Sequence, residues 1–289
     1  MTTAKNWRVA VLGATGLVGE TMIKVLEERD FPVGEFFPLA SDRSLGKSVS
    51  FKGKRYPVLD VASFDFSRAD IGLFSAGGEV SRVVAPRAAA AGCVVIDNTS
   101  EFRDHDDIPL VVPEVNPDAI ARYSARGIIA NPNCSTIQML VVLKPLHDVA
   151  HIERINVATY QSVSGAGKEG VAELAAQSAA LLNGQGPVKA RVVARQIAFN
   201  VVPEIDKFQD NGYTKEEMKM FWETRKILGD KSIRVNATAV RVPVFYGHSE
   251  AVNIETRSKI TAAQARAILQ KAPGVKVVDE RKQIGRAHV

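Results

Sequence analysis

Two short segments carry residues arranged for chemistry. In Asn131-Pro132-Asn133-Cys134-Ser135-Thr136, a cysteine follows a strand-like run and precedes a helix-compatible stretch, Ile137–Leu146. That predicts Cys134 at a helix N-terminus, where the partial positive charge of the unpaired N–H groups lowers a thiol pKa and favours the thiolate nucleophile. The second cysteine, Cys93, lies inside Gly92-Cys93-Val94-Val95-Ile96 and reads as a small core residue. In Gly13-Ala14-Thr15-Gly16-Leu17-Val18-Gly19, glycines recur as G-x-x-G-x-x-G between the first strand and the first helix. Small residues there let the backbone approach a pyrophosphate, whose charge settles on the helix N-terminus. Gly13, Thr15, Gly16, Leu17 and Val18 are therefore candidate cofactor contacts. A thiolate beside a dinucleotide suggests one chemistry: the sulfur attacks an activated acyl group, and hydride from a nicotinamide reduces the thioester to an aldehyde.

The elements that must position these groups alternate in the first half. Trp7–Leu12, Phe36–Ala40, Asp70–Ser75, Cys93–Asp97, Leu110–Val112 and Ile128–Ala130 are short apolar runs, and Phe51–Val58 reads as a hairpin. Val18–Arg29, Glu79–Ala91 and Pro117–Arg126 are helix candidates between them. Strands alternating with helices predict a parallel sheet covered on both faces. After Phe36–Ala40 comes Ser41-Asp42-Arg43-Ser44. An acid there suits the ribose of NAD, whereas Arg43 with its flanking hydroxyls, Ser44 among them, suits the 2′-phosphate of NADP; the reading is NADP.

The second half has longer, alternating strands. Ile152–Gln161 precedes a helix over Val171–Leu182, and Ile233–Val244 puts Ala237, Ala239 and Arg241 on one face and Val240, Val242 and Val244 on the other. Ala251–Thr256 repeats the alternation. This predicts a second, mixed-sheet domain, divided from the first as 1–133 and 134–289. Thr214 and Glu217 read as a capping box opening another helix, with Glu216 and Lys219 on one face of it.

The chain has 289 residues, 46% hydrophobic and 24% charged, as in ordinary globular proteins. Its 37 basic and 32 acidic residues are interspersed, which argues against nucleic acid; a net +5 suits small anionic ligands. No apolar run reaches the roughly 18 residues of a spanning helix. The start of the chain has no apolar leader-like region, and two cysteines make no disulfide framework, so the reading is a cytoplasmic protein. His147-Asp148-Val149-Ala150-His151 has the i, i+4 spacing of a helical metal pair, but the helix pattern breaks near Val149 and no third ligand is evident, so no metal is expected.

Taken together, the glycine segment, Ser100-Glu101-Phe102-Arg103, the Cys134 segment, Tyr160-Gln161-Ser162-Val163-Ser164-Gly165-Ala166-Gly167, Glu216-Glu217-Met218-Lys219 and Arg241 through His248 resemble aspartate-semialdehyde dehydrogenases, in order from about Trp7 to Lys282. The resemblance implies a Rossmann-type α/β nucleotide domain plus an α+β catalytic and dimerisation domain. It implies NADPH-dependent reduction of L-aspartyl-4-phosphate to L-aspartate 4-semialdehyde and phosphate, feeding lysine, threonine, methionine and isoleucine synthesis, by a homodimer. It assigns Cys134 as nucleophile, Gln161 to orient the carbonyl and His248 as acid/base. Arg103, Asn133 and Lys219 would bind phosphate, Glu216 the amino group and Arg241 the α-carboxylate, with Ser164 and Gly165 beside the nicotinamide. Three alternatives stay open: N-acetyl-γ-glutamyl-phosphate reductase, an inactive dimerising protein and a cysteine hydrolase. After Lys282, Gln283–Val289 departs from the family pattern. That reads as a frameshift, a shortened clone or vector-encoded residues, with an open sheet edge, an uncovered apolar helix face and impaired activity expected.

Overall fold

The structure is a computed structural model describing residues 6–186 and 188–279; the departing segment Gln283–Val289 lies outside them. The first half builds a six-stranded sheet. Strands β1 (Trp7–Leu12), β2 (Val33–Ala40), β5 (Leu59–Asp60), β6 (Ile71–Phe74), β7 (Val94–Asp97) and β8 (Ile128–Ala130) lie in the order β5-β2-β1-β6-β7-β8, all parallel. A hairpin of β3 (Ser48–Phe51) and β4 (Lys54–Pro57) stands beside it. Val9 to Leu12 are fully buried, as a strand covered on both faces requires. Helix α1 (Leu17–Glu28) follows β1 and α2 (Gly78–Ala90) follows β6. The strand order reverses between β1 and β6, and the crevice beyond their carboxyl ends is where such sheets bind ligands.

Two expected elements come out differently. Leu110–Val112 is no strand; it makes a single bridge, Leu110 to Ala130. Pro109 and Pro113 bracket it and lack N–H groups, and Asn116 holds the loop by accepting from the Val112 N–H (2.8 Å) and donating to the Leu110 carbonyl (2.9 Å). Pro117–Ala125 forms 3₁₀ turns rather than an α-helix.

The second half starts with α3 (Cys134–Ala150), leading to the ten-residue β9 (Ile152–Gln161). β9 is the centre of a mixed sheet, with β10 (Arg234–Arg241) parallel on one side and β11 (Ser249–Thr256) antiparallel on the other. β10 and β11 are its outer strands among the described residues. On β10 the face carrying Ala237, Ala239 and Arg241 is the buried one. α4 (Gly167–Leu182) follows β9, and α5 (Lys215–Leu228) begins with the expected capping box, in which Thr214 and Glu217 satisfy each other's backbone N–H groups. α6 (Ala262–Leu269) closes the described chain. A continuous apolar core runs from Leu12 and Phe74 through Leu140 of α3 and Met220 of α5 to Ile155 and Ile233. α3 and α5 therefore link the two sheets and carry the polar groups at their shared boundary.

Candidate active site

The cysteine helix is tied down at its first turn. Asn133 caps α3, its Oδ1 accepting from the N–H groups of Ser135 (3.0 Å) and Thr136 (3.2 Å). The Asn133 N–H donates to Glu223 Oε2 (2.6 Å), and its Nδ2 donates to Glu216 Oε1 (2.8 Å). Cys134 is thus placed at the helix N-terminus, as expected, and is exposed. The expected lowering of its pKa is corrected. Although the residue is exposed, burial of the sulfur among the cleft walls raises the thiol, and the Glu216 charge raises it further. The Ser135 N–H and Arg103 oppose these effects without overcoming them. These effects hold the resting sulfur toward the thiol, so a proton acceptor is needed to release the thiolate.

The opposite wall is a stripe of charge on α5. Glu216, Lys219 and Glu223 recur at helical spacing on the face turned to α3. Glu216 is 6% exposed, so its pairing with Lys219 (2.9 Å) is no solvated surface ion pair. Burial would lift its carboxyl, but the Lys219 charge and hydrogen bonds from Asn133, Lys219 and Gln161 outweigh that and leave it lowered, hence ionised. Lys219 also donates to Asp206 (3.0 Å). Glu223, not singled out from the sequence, accepts from Arg103 Nη1 (3.1 Å) as well as from the Asn133 N–H. Arg103 also donates to the carbonyls of Thr99 and Asn98. One buried carboxylate therefore fixes a candidate phosphate-binding guanidinium and the residue before the nucleophile. The sequence signal for its place, though not for its partner, was the spacing: Glu223 lies seven residues, about two helical turns, beyond Glu216.

The third wall comes from the mixed sheet. Gln161 ends β9 and is buried, its Nε2 donating to Glu216 Oε1 (3.3 Å) and Thr159 Oγ1 (3.3 Å). Arg241, at the end of the neighbouring β10, donates through Nη1 to the Ser162 carbonyl (2.7 Å). The Ser162 N–H donates to His248 Nδ1 (3.0 Å). Burial lowers the His248 pKa and the Arg241 charge adds to this, while the Gly247 backbone and Glu216 pull the other way. Gly165 packs against both groups: a Cβ there would lie 3.1 Å from Arg241 Nη1 and 3.8 Å from His248 Nε2. Hydrogen bonds, close contacts and charge interactions thus link Cys134, Gln161, His248, Arg103, Asn133, Glu216, Lys219, Arg241, Ser164 and Gly165 in one cluster.

The glycine turn forms a separate, adjoining cradle. Gly13 has φ +84°, and a Cβ there would come within 2.5 Å of the Ser75 carbonyl at the end of β6; a Cβ at Gly19 would come within 2.1 Å of the Gly13 carbonyl. Gly16 caps α1 without a side-chain partner, so the first amides of the helix stay open to a diphosphate. Thr15 Oγ1 meets Ser44 Oγ at 3.1 Å, joining the turn to the loop after β2, where Arg43 is exposed. These features fit a dinucleotide. Lys168, at the start of α4, donates to the Thr15 carbonyl (2.9 Å) and brings the Ser164–Gly167 turn against the cradle. Cys93 is buried, its thiol pushed up to about 12 by burial, as a core cysteine should be.

The His147–His151 pair needs a correction. α3 continues through Val149 and ends at Ala150, and Asp230 supplies the third group that the sequence reading did not find, 3.6 Å from His151 Nε2. The Ile152 N–H donates to His147 Nδ1 (3.1 Å), so a neutral ring carries its proton on Nε2 and offers no lone pair there to an ion.

Comparison with known proteins decides the family. The model described as "Semialdehyde dehydrogenase, NAD binding domain" matches residues 8–123, and "Semialdehyde dehydrogenase, dimerisation domain" matches residues 143–286. The aspartate-semialdehyde dehydrogenase of Shewanella violacea is 61% identical over 280 residues, 97% of this chain and 82% of that protein. The chain belongs to the aspartate-semialdehyde dehydrogenase family. The enzyme of Legionella pneumophila is 62% identical, over 96% of this chain and 79% of its own. The structure of aspartate semialdehyde dehydrogenase II from Vibrio cholerae, complexed with ASA, has a TM-score of 0.93 at 59% identity, covering 99% of this chain and 87% of that one. The fold class, the dehydrogenase class and the nicotinamide nucleotide read from the sequence are those of this family. No helix among the described residues is long and apolar enough to cross a membrane.

Proposed function

We propose that this chain reduces L-aspartyl-4-phosphate to L-aspartate 4-semialdehyde and phosphate with NADPH, through a thioester on Cys134. The observation that carries the reading is Glu216, which joins Asn133, Gln161 and Lys219 on its two oxygens beside the cysteine helix. Each partner matches a different part of one substrate. Arg241 presents N–H groups to the α-carboxylate, and the ionised Glu216 faces the ammonium. The Gln161 amide orients the reacting carbonyl. Arg103 and Lys219 hold the phosphoryl group, and their charge stabilises the phosphate that leaves. The Cys134 sulfur forms a bond to the C4 carbonyl carbon as the C4–O bond to phosphate breaks. His248 takes the thiol proton on attack and returns it when the sulfur is expelled. NADPH, when bound, supplies the hydride that takes the thioester to the aldehyde level.

The preference for NADP over NAD rests on Arg43 and Ser44 after β2; an aspartate semialdehyde dehydrogenase of Candida albicans, described with NADP, has a TM-score of 0.69 at 26% identity. The reading takes Asn133/Cys134 as the domain boundary, a homodimer as the working form and the cytoplasm as its place. The dimerisation-domain match and the exposed Phe245 and Tyr246 support the homodimer. The test is phosphate-dependent reduction of NADP by the purified chain with aspartate semialdehyde, beside N-acetylglutamate semialdehyde. Turnover of the first substrate alone is expected; turnover of the second alone, or of neither, overturns the reading.

A further inference from the structure

Ser162 touches both His248 and Arg241, yet it has no part in the chemistry proposed above. It is fully buried, immediately after Gln161. Its carbonyl accepts from Arg241 Nη1 (2.7 Å), its N–H donates to His248 Nδ1 (3.0 Å), and its hydroxyl lies 3.2 Å from the same Nδ1 and 2.8 Å from Ser164 Oγ. The backbone N–H and the hydroxyl ask opposite things of the ring. A backbone N–H can only donate, so it selects the tautomer with a lone pair on Nδ1 and the proton on Nε2. That tautomer can donate into the cleft but cannot accept there. A hydroxyl can accept, so it allows the tautomer with the proton on Nδ1 and a lone pair on Nε2, while its own proton turns to Ser164 Oγ.

We propose that Ser162 is a positioning residue whose hydroxyl lets the His248 imidazole leave the resting Nε2–H tautomer, selected by the Ser162 N–H, for the base tautomer that carries its proton on Nδ1 and a lone pair on Nε2. This rests on the acid/base role proposed for His248. In the base form the ring's single proton is on Nδ1; Nε2 takes the proton of the Cys134 thiol to give the imidazolium, and the same proton returns to sulfur when the thiolate is expelled. No proton is gained or lost over the cycle of the ring. The charged groups acting on the ring are Arg241 from β10 and Glu216 from α5, with Cys134 of α3 acting in turn on Arg241, and a change at Ser162 alters none of them.

The test is Ser162→Ala, which deletes the hydroxyl and keeps both backbone contacts. The first readout is independent of activity: imidazole ¹⁵N shifts of the ligand-free protein across pH, with His248 assigned by its loss in His248→Gln. The expected result is a His248 pKa about 0.5–1 unit below wild type and a ring fixed in the Nε2–H tautomer. The second readout is kinetic: kcat should fall about 10- to 100-fold, with its His248-dependent limb moved the same way. KM for aspartate semialdehyde should stay within about twofold, because Arg241 keeps its carbonyl partner. Unchanged ¹⁵N shifts and pH profile overturn the proposal. So does a loss of kcat matched by a rise in KM and a lower Tm, which would make Ser162 merely structural. Full activity in His248→Gln with the expected shifts in Ser162→Ala would instead remove the acid/base reading of His248 and leave the tautomer control standing.

Discussion

The turn after β1 and the turn after β8 both deliver a ligand site at the start of a helix, yet they are made of opposite materials. At Gly13–Gly19 the function lies in missing side chains: the space is set by the Ser75 carbonyl, and the helix cap is left open. At Asn133–Thr136 the N–H groups of Asn133, Ser135 and Thr136 are all tied, and the tie continues through Glu216 and Glu223 into another helix. A diphosphate brings its own charge and needs only open amides. A thiol that must attack and leave needs its surroundings held in place, which takes buried charge from distant segments.

The comparison breaks first at Cys134. Cys134→Ala should lower kcat by about three orders of magnitude or more in the NADP-linked assay. Cys93→Ala, with its inert buried thiol, should lose some stability and keep its kcat/KM. Equal losses in the two variants would remove the nucleophile.

The second break is Glu223. Its pair with Arg103 is enclosed, with side chains 5% and 12% exposed. Glu223→Ala strands that guanidinium and frees the Asn133 N–H, at a cost of about 3–5 kcal/mol in denaturant unfolding. KM for phosphate should rise about tenfold. Glu223→Gln keeps an acceptor for the Asn133 N–H and should fall between the two. If Glu223→Ala left stability and KM unchanged, the charged wall would be decoration.

Gly13→Ala tests the other material. Position 13 holds φ +84°, and the new Cβ would meet the Ser75 carbonyl at 2.5 Å. The expected cost is about 1–3 kcal/mol, with NADPH affinity at least about tenfold weaker in a fluorescence titration. Single-turnover reaction of Cys134 with the acyl phosphate should persist, because the cysteine helix is tied down elsewhere.

The same contrast explains what was legible in the sequence. The glycine spacing is local, so the turn, its place after the first strand and the parallel sheet could all be read along the chain. So could Cys134 at a helix start, the Thr214 capping box and the shared face of Ala237, Ala239 and Arg241 on β10, though not that this face is the buried one. The sign of the Cys134 pKa shift could not, because it is decided by burial between three walls and by Glu216. Nor could the role of Glu223, whose partner Arg103 is 120 residues away. The sequence resemblance assigned Glu216 and Lys219 to the substrate but could not say that Glu216 is buried or that it pairs with Lys219 beside the cysteine helix. Leu110–Val112 looked like a strand because its apolar content was visible, while the loop closed by Asn116 was not.

The smallest expected effect concerns Glu250 on β11, which shares the inner face with Thr159 and Gln161. Burial pushes its carboxyl from 4.5 up to about 7, with the neighbouring Gln138 and Ser135 side chains pulling it partly back. An acid whose folded pKa is raised stabilises the fold only while protonated. At pH below about 4.5 the folded and unfolded forms are both protonated and nothing is lost. Between about 4.5 and about 7 the unfolded chain ionises first, so stability drains away as pH rises, and above about 7 the loss is complete. Glu250→Gln keeps the shape and removes the titration. The half-buried position and solvent screening discount the full shift to about 1–2 kcal/mol. Melting curves of wild type and Glu250→Gln should therefore separate progressively from pH 4.5 to pH 7, with the variant the more stable at the upper end. Parallel curves across that window would mean that water reaches the carboxylate at the sheet as freely as it reaches the diphosphate cradle, and the contrast between a dry catalytic wall and an open nucleotide turn would fail at β11.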